Sequence, residues 1–215
     1  TFLVVGFVYP CWLLGLDPTL QIMVATYGET LSRDHAEKRR QIMESEWYRR
    51  IFPQTRISDR GNRLLDFQTT AGGGVKAVSV GGPGTGRGAD IIILNDCMKS
   101  DEHSSEAARA EVKHWFSSAL TSRLNDKTRG AIISIQQRIH EDDLPAHLLE
   151  KGFACLNLPA IADTDQEIEV GDGLTYLWKR GELLDPVRFP KEVLDNERLN
   201  MGPQDFSAQY LQNPM

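Results

Sequence analysis

Asn95 and Asp96 stand at the end of a wholly apolar run, Ile91-Ile92-Ile93-Leu94, which a glycine-rich turn containing Arg87 feeds. Such a run, bounded by turn residues and rich in Ile, predicts a buried parallel strand. Open α/β sheets hold ligands beyond the carboxyl ends of their strands. A carboxylate at that end can support Mg²⁺ or orient a water beside a nucleotide phosphate. Asp96 is the only carboxylate at this exit, because Asn95 offers Mg²⁺ a neutral oxygen and no charge. A strand with a merely polar exit has the same sequence.

A second apolar run, Ala131–Ile135, ends in Gln136-Gln137-Arg138. In a parallel sheet this exit could lie beside the first. Gln136 and Gln137 could then hydrogen-bond a γ-phosphate or its water; a polar strand cap is the plain alternative. The segment Gly81–Gly88 has the spacing of a phosphate-binding loop, with Arg87 in place of Lys and Gly88 in place of Ser or Thr. Such a loop must open a helix, whose N–H groups hold the phosphates. This one leads into a strand, so it reads as a flexible connection. It could also present Arg87, whose guanidinium can neutralise charge on a transferring phosphoryl group.

His140-Glu141-Asp142-Asp143 has metal-ligand residue types. Acidic residues at a helix start are expected from the helix dipole alone, and that is our reading. His35, His103, His114 and His147 are scattered and read as surface or packing residues. Arginines at 39, 40, 49, 50, 56, 60 and 63 make the region 38–63 basic, with Trp47 and Tyr48 among them. A solvated helix face is the ordinary reading, and a DNA-facing patch is the alternative.

These groups need a scaffold, and the elements alternate. Phe2–Leu14 is apolar and ambiguous between strand and helix; Gln21–Tyr27 reads as a short buried strand. Glu29–Arg50 favours helix, with Leu31, Ile42, Met43 and Trp47 on one face. Leu64–Thr69 and Val75–Val80 are strand-like and joined by Gly72-Gly73-Gly74, as in a hairpin. Ser104–Leu124 has helical spacing after a capping serine. Asp142-Asp143 opens a short helix that tolerates Pro145 in its first turn and stops at Gly152. Phe153–Leu158 reads as a further strand, Asp163–Gly173 as an exposed acidic loop, and 190–199 and 204–209 as two short helices. Strand and helix in alternation signal a parallel sheet with crossover helices.

The 215 residues suffice for one sizeable core, and 25% charged with 40% hydrophobic residues is ordinary for a globular chain. A net charge of −6 argues against a generally basic nucleic-acid binder. Cys11, Cys97 and Cys155 share no close spacing, which argues against a disulfide framework or zinc motif. Thr1–Leu16 is too short to span a bilayer and lacks a basic leader, and it opens without Met, as an excised piece would.

Four segments, in order, resemble the ATPase domain of the large terminase subunits of tailed bacteriophages and prophages. Tyr9-Pro10-Cys11-Trp12-Leu13-Leu14-Gly15 is similar to the helix after that family's Walker-A loop. Gly86–Asp96 resembles its Walker-B segment, and Gln136–Leu144 its coupling motif. Phe206–Pro214 resembles the segment that closes the ATPase region before a nuclease domain. The resemblance implies a three-layer α/β fold of the additional-strand, RecA-like P-loop class, with a mainly parallel sheet flanked by helices. It implies an ATPase core over 1–162 and a C-terminal part over 163–215. It also implies ATP and Mg²⁺ as cofactors and hydrolysis coupled to translocation of double-stranded DNA into a procapsid. Expected partners are a portal protein, a small terminase subunit and a homo-oligomeric ring, in the host cytoplasm with no membrane.

Carried over residue by residue, the catalytic acid falls on Asp96 and the metal position on Asn95 and Asp96. Arg87 resembles an arginine acting on a neighbouring subunit's nucleotide. Gln136 and Gln137 fall in the coupling motif, and Thr1 on the last residue of the Walker-A loop. Two features depart from the family. The rest of that loop is not found in the sequence, and Asn stands at 95 where the family has Asp. A weakly active fragment is therefore expected. A non-catalytic ATPase-fold module for assembly or DNA binding is the alternative, and an unrelated nucleotide-binding α/β protein is a third reading. The motor layout requires the exits of strands 91–94 and 131–135 to be neighbours.

Overall fold

The computed structural model describes residues 4–60, 62–82 and 87–215. The chain forms two compact units, one ending at Gln136 and one spanning Gln137–Met215.

The first unit is built on a five-stranded sheet in the order β2-β3-β1-β4-β5. Its strands are β1 (Gln21–Thr26), β2 (Asp66–Gln68), β3 (Gly74–Ser79), β4 (Ile91–Asn95) and β5 (Ala131–Ile135). β1 pairs in parallel with β3 and β4, and β4 in parallel with β5; β2 alone runs antiparallel, against β3. The expected hairpin over 64–80 is thus present, and the expected parallel sheet is formed. Both faces of the central strands β1 and β4 are buried, whereas the edge strand β5 is only partly so. Ile22, Val24, Val75 and Ile93 lie on one side with Cys11, Leu14, Met43 and Tyr48 in a single cluster. Met23, Ala25, Ile92 and Leu94, on the other, are at most 1% exposed. This two-sided burial is why these strands are continuously apolar rather than alternating. Each such aliphatic side chain contributes roughly 1.5–3 kcal/mol.

The N-terminal apolar stretch is helical: a π-helical turn, Val4–Val8, leads into α1 (Tyr9–Leu16), with Pro10 in its first turn. Periodicity left this open, and the resemblance implied helix. The long helix expected over 29–50 is two helices, α2 (Glu29–Glu44) and α3 (Glu46–Ile51). Ser45 separates them. Its hydroxyl donates to Ile42 O (2.6 Å) and accepts from Tyr48 N, so it ends one helix and caps the next. The helix expected over 104–124 is shorter, α4 (Glu106–Trp115), continued by a π turn and a 3₁₀ turn. Ser105 caps it.

Gly73 and Gly74 are required where β3 begins. A Cβ on Gly73 would lie 2.4 Å from Leu20 O, and one on Gly74 2.2 Å from Phe67 O.

The second unit contains α5 (Leu144–Glu150), the antiparallel pair β6 (Gln166–Gly171) and β7 (Leu174–Trp178), α6 (Lys191–Met201) and α7 (Pro203–Gln209). Two expectations fail here. Phe153–Leu158 joins no ladder among the described residues, because a strand needs a partner edge as well as a strand-like composition. Asp163–Gly173 is not a loop but mostly β6 and its turn. Gly171, Asp172 and Gly173 all have positive φ, the geometry of a tight hairpin turn, which the acidic composition concealed. Among the described residues no helix is long and apolar enough to cross a membrane.

His35 is buried under the π turn, its ring 5.8 Å from that of Phe7. A Cβ on Gly6 would lie 2.7 Å from it. Beside it, the buried Arg39 donates to Gly6 O at 2.5 Å, and burial lowers that guanidinium's pKa to about 10. Burial, then the charges of Arg39 and Lys38, lower the His35 pKa from 6.5 to about 4. Between these values the unfolded chain binds a proton that the folded chain refuses. Stability should therefore fall as pH drops through this window, by up to about 3 kcal/mol. Urea unfolding at stepped pH checks this: midpoints should decline from pH 6.5 toward 4.5, and His35→Leu should flatten the decline.

Candidate functional site

The carboxyl edge of the sheet brings three strand exits into line. β4 pairs with β5 in a register that sets Asn95 opposite Ile135. Asp96 follows with φ +47, a left-handed backbone uncommon outside glycine but tolerated by Asp. Its N–H donates to Ile135 O (3.2 Å), and its carbonyl accepts from Tyr27 N (2.9 Å). The Asp96 turn is thereby tied to the ends of both β1 and β5. A left-handed residue fixed from both sides at a strand exit is the kind of local strain found where a side chain must be aimed. The carboxylate also leaves a trace next door. Burial, with the Asp96 charge adding to it, pushes the Cys97 thiol well above its ordinary pKa.

Asn95 is 1% exposed, and among the described residues neither its amide oxygen nor its nitrogen has a hydrogen-bond partner. A buried amide left unmatched costs on the order of 1–3 kcal/mol. Its oxygen is a type of ligand that Mg²⁺ accepts, and Asp96 follows it in the chain. This pair fits a cation poorly supplied with charge: one carboxylate and one neutral oxygen.

Gln136, also on this edge, turns its amide back to Ser134 Oγ (2.7 Å). Gln137 is exposed and begins the second unit. Within that unit the following residues are firmly held. Arg138 Nε donates to both Asp143 oxygens (3.1 and 3.0 Å), and Arg138 N donates to Gln212 Oε1 (2.9 Å). Asp143 also accepts from Ile139 N and caps α5 through Ala146 N. Its oxygens are thus committed to an arginine and a helix start rather than to a metal. Among the described residues no group of three or more His, Cys, Asp or Glu is arranged to hold a metal ion.

Arg87 lies before β4, at the other end of the strand from Asp96, about 16 Å of strand away at the usual rise per residue. There it pairs with Asp66 (2.8 Å) beside a shallow cleft of about 170 Å³ that Gln21, Lys76 and Gly88 help to line. Within one chain, Arg87 and Asp96 do not share a site. Thr1 and Gly86 lie outside the described residues.

Some positioning residues went unnoticed in the sequence. Thr26, at the β1 exit, pairs with Ser32 (2.8 Å), whose hydroxyl donates to Val78 O, so the start of α2 is fastened to the sheet edge. Asp90 accepts from Gln21 N and Asn125 Nδ2, joining the entrances of β1 and β4. An Asp directly before an apolar run was a visible signal for the latter. Nothing local marked Thr26.

The fold has solved counterparts. The structure is similar to the large-terminase ATPase domain of Thermus phage P74-26, with a TM-score of 0.59, over 97% of this chain and 82% of that one, at 14% identity. The α/β sheet and its flanking helices are the fold of that domain. The large terminase of bacteriophage HK97 also aligns, at 14% identity and a TM-score of 0.43, over 62% of this chain; the chain spans 26% of the HK97 protein. No family model and no curated protein matches the chain.

Proposed function

We propose that this chain is the ATPase region of a phage or prophage DNA-packaging motor that uses ATP hydrolysis to drive double-stranded DNA into a procapsid. The observation that supports it most is the adjacent parallel exits of β4 and β5, with the Asp96 turn bonded across both its neighbours. Asp96, as its carboxylate, acts as the general base that orients the attacking water and takes up its proton. Asn95 and Asp96 hold Mg²⁺, which when bound offsets negative charge on the phosphates. Gln136 and Gln137 report the state of the γ-phosphate to the second unit, whose Arg138–Asp143 clamp follows directly. Arg87, remote from its own Asp96, acts on the nucleotide of a neighbouring subunit in a homo-oligomeric ring. Thr1 ends the phosphate-binding loop. The working motor also engages a portal protein and a small terminase subunit in the host cytoplasm. The ATPase core spans 1–162, and 163–215 is the C-terminal part of the ATPase region.

No Gly-x-x-x-x-Gly-Lys-Ser/Thr motif occurs within these 215 residues. The one glycine-rich run of suitable spacing, 81–88, feeds β4 rather than a helix. Phosphate release from ATP by this chain should therefore stay at background. A form extended upstream with a Gly-x-x-x-x-Gly-Lys-Ser/Thr loop should hydrolyse ATP in the presence of Mg²⁺. Asp96→Ala should lower that rate by about 10²-fold or more, the usual contribution of a positioned acid–base group. An unchanged rate would overturn the assignment. A second reading, a non-catalytic module of the same fold, is favoured by one observation: the amide in place of a carboxylate at 95. Background hydrolysis by the extended form would support it.

A further inference from the structure

We infer that α3 together with residues 56–60 and 62–63 forms a binding surface for the phosphate backbone of nucleic acid, contacted by Arg49, Arg50, Arg60 and Arg63. The inference rests on the DNA-packaging reading for its choice of duplex DNA as the ligand. The surface is set apart first by charge. Between 45 and 63 five arginines face two carboxylates, Glu46 and Asp59, in a chain whose net charge is −6. A polyanion is repelled by most of such a molecule and accepted only where positive charge is concentrated.

It is set apart also by pairing. Several cations elsewhere are matched, Arg33 with Glu29, Arg40 with Glu44, Arg87 with Asp66, Arg138 with Asp143 and Lys191 with Asp195, whereas no comparable cluster of four unmatched arginines stands together elsewhere among the described residues. Arg49, Arg50, Arg60 and Arg63 are all exposed, and among the described residues none of the four has a carboxylate within ion-pair distance. Their guanidiniums are free to meet an outside anion, and the planar fork of donors suits phosphate oxygens.

The backbone holds these arginines on rigid elements. Arg49 and Arg50 occupy the last turn of α3, whose end Arg56 caps by donating to Phe52 O and Thr55 O. Residues 57 and 58 are fastened to the sheet by the Ile57–Thr69 bridge and by Ser58 N to Gln68 O (2.8 Å). Asn62 is tied to α2, because Arg40 donates to its Oδ1. An array held this way presents charge at fixed positions, which backbone contacts need and a solvated helix face does not.

The test is fluorescence anisotropy of the 215-residue chain with a labelled 30-bp duplex of arbitrary sequence, between 50 and 200 mM salt. With four phosphate contacts the slope of log K against log salt should be about −4. Arg49→Glu/Arg50→Glu and, separately, Arg60→Glu/Arg63→Glu should each weaken binding by at least about tenfold and flatten the slope by about 2. Lys179→Glu/Arg180→Glu, an exposed pair in the second unit, should change neither beyond the small effect of net charge. Binding that all three variants share equally with the parent would overturn this surface and leave the packaging reading standing. No binding by the parent at 50 mM salt would overturn the surface as well; hydrolysis by the extended form decides the packaging reading by itself. If poly-glutamate displaces the duplex at lower concentration than unlabelled duplex does, through the same arginines, the surface is a docking face for an acidic protein and the inference fails.

Discussion

Asn95→Asp should lower stability at pH 7 by about 3 kcal/mol in EDTA, the scale of a buried charge without a partner, and recover much of it in 10 mM Mg²⁺. The substitution is nearly isosteric, so packing is preserved and only charge changes. Position 95 is 1% exposed, and neither amide atom has a partner among the described residues. A carboxylate there must lose its hydration or take up a proton, which raises its pKa above the unfolded value. The destabilisation is therefore absent in strong acid. It grows as pH rises above about 3.9, the ordinary value for Asp, toward the raised folded value. A cation bound between residues 95 and 96 reverses the sign, because it binds the folded chain alone. Urea titrations of parent and variant, with EDTA and with Mg²⁺, separate the cases. The parent, with one carboxylate rather than two at this exit, should gain less from Mg²⁺ than the variant does. Equal losses for the variant in both buffers would show that position 95 is not a metal site. In the upstream-extended form the same substitution should raise Mg²⁺-dependent hydrolysis well above that of the Asn form.

Asp143→Ala should cost about 3–4 kcal/mol, and Asp143→Asn no more than about half of that. The Asp143 side chain is 1% exposed and accepts from Arg138, Ile139 N and Ala146 N together. Alanine removes a helix cap, worth about 1 kcal/mol, and leaves a partly buried guanidinium without its counterion, which costs several more. Asparagine keeps one oxygen for the cap and the arginine while giving up the charge. Urea denaturation followed by far-UV circular dichroism measures both. A loss within 1 kcal/mol for the alanine variant would mean that the clamp does not hold this segment. An intact fold with hydrolysis lost in the extended form would instead locate its role in coupling.

The parts of the fold legible in the sequence were those dictated by burial on two sides. Ile91–Leu94 is uninterrupted and apolar, so its assignment as a buried strand needed no knowledge of its neighbours; Ala131–Ile135, broken by Ser134 and only partly buried at the edge of the sheet, was legible from its isoleucines alone. The start of α5 was equally plain, since Asp143 followed by Pro145 is a cap followed by a first-turn proline. Ser45 was less legible. Its break between α2 and α3 depends on a hydroxyl reaching Ile42 O, an option that a serine in a continuous helix also has. Phe153–Leu158 was misread for the converse reason, because its composition suits a strand whether or not an edge is available to pair with it.

The residue types of the candidate site were likewise visible, but their relations were not. The sequence by itself determined that Asn95 and Asp96 stand at the exit of a buried strand, that Gln136 stands at another, and that Arg87 precedes the first. Local periodicity and turn chemistry are sufficient for that. Only the tertiary structure decided that the two exits are neighbours and that the Asp96 backbone is fixed by Tyr27 and Ile135. The same holds for the unmatched Asn95 amide and for the placing of Arg87 at the opposite end of β4, paired with Asp66. Strand order arises from contacts between segments far apart in the chain, and the partner of a buried polar atom is whatever that order brings to it.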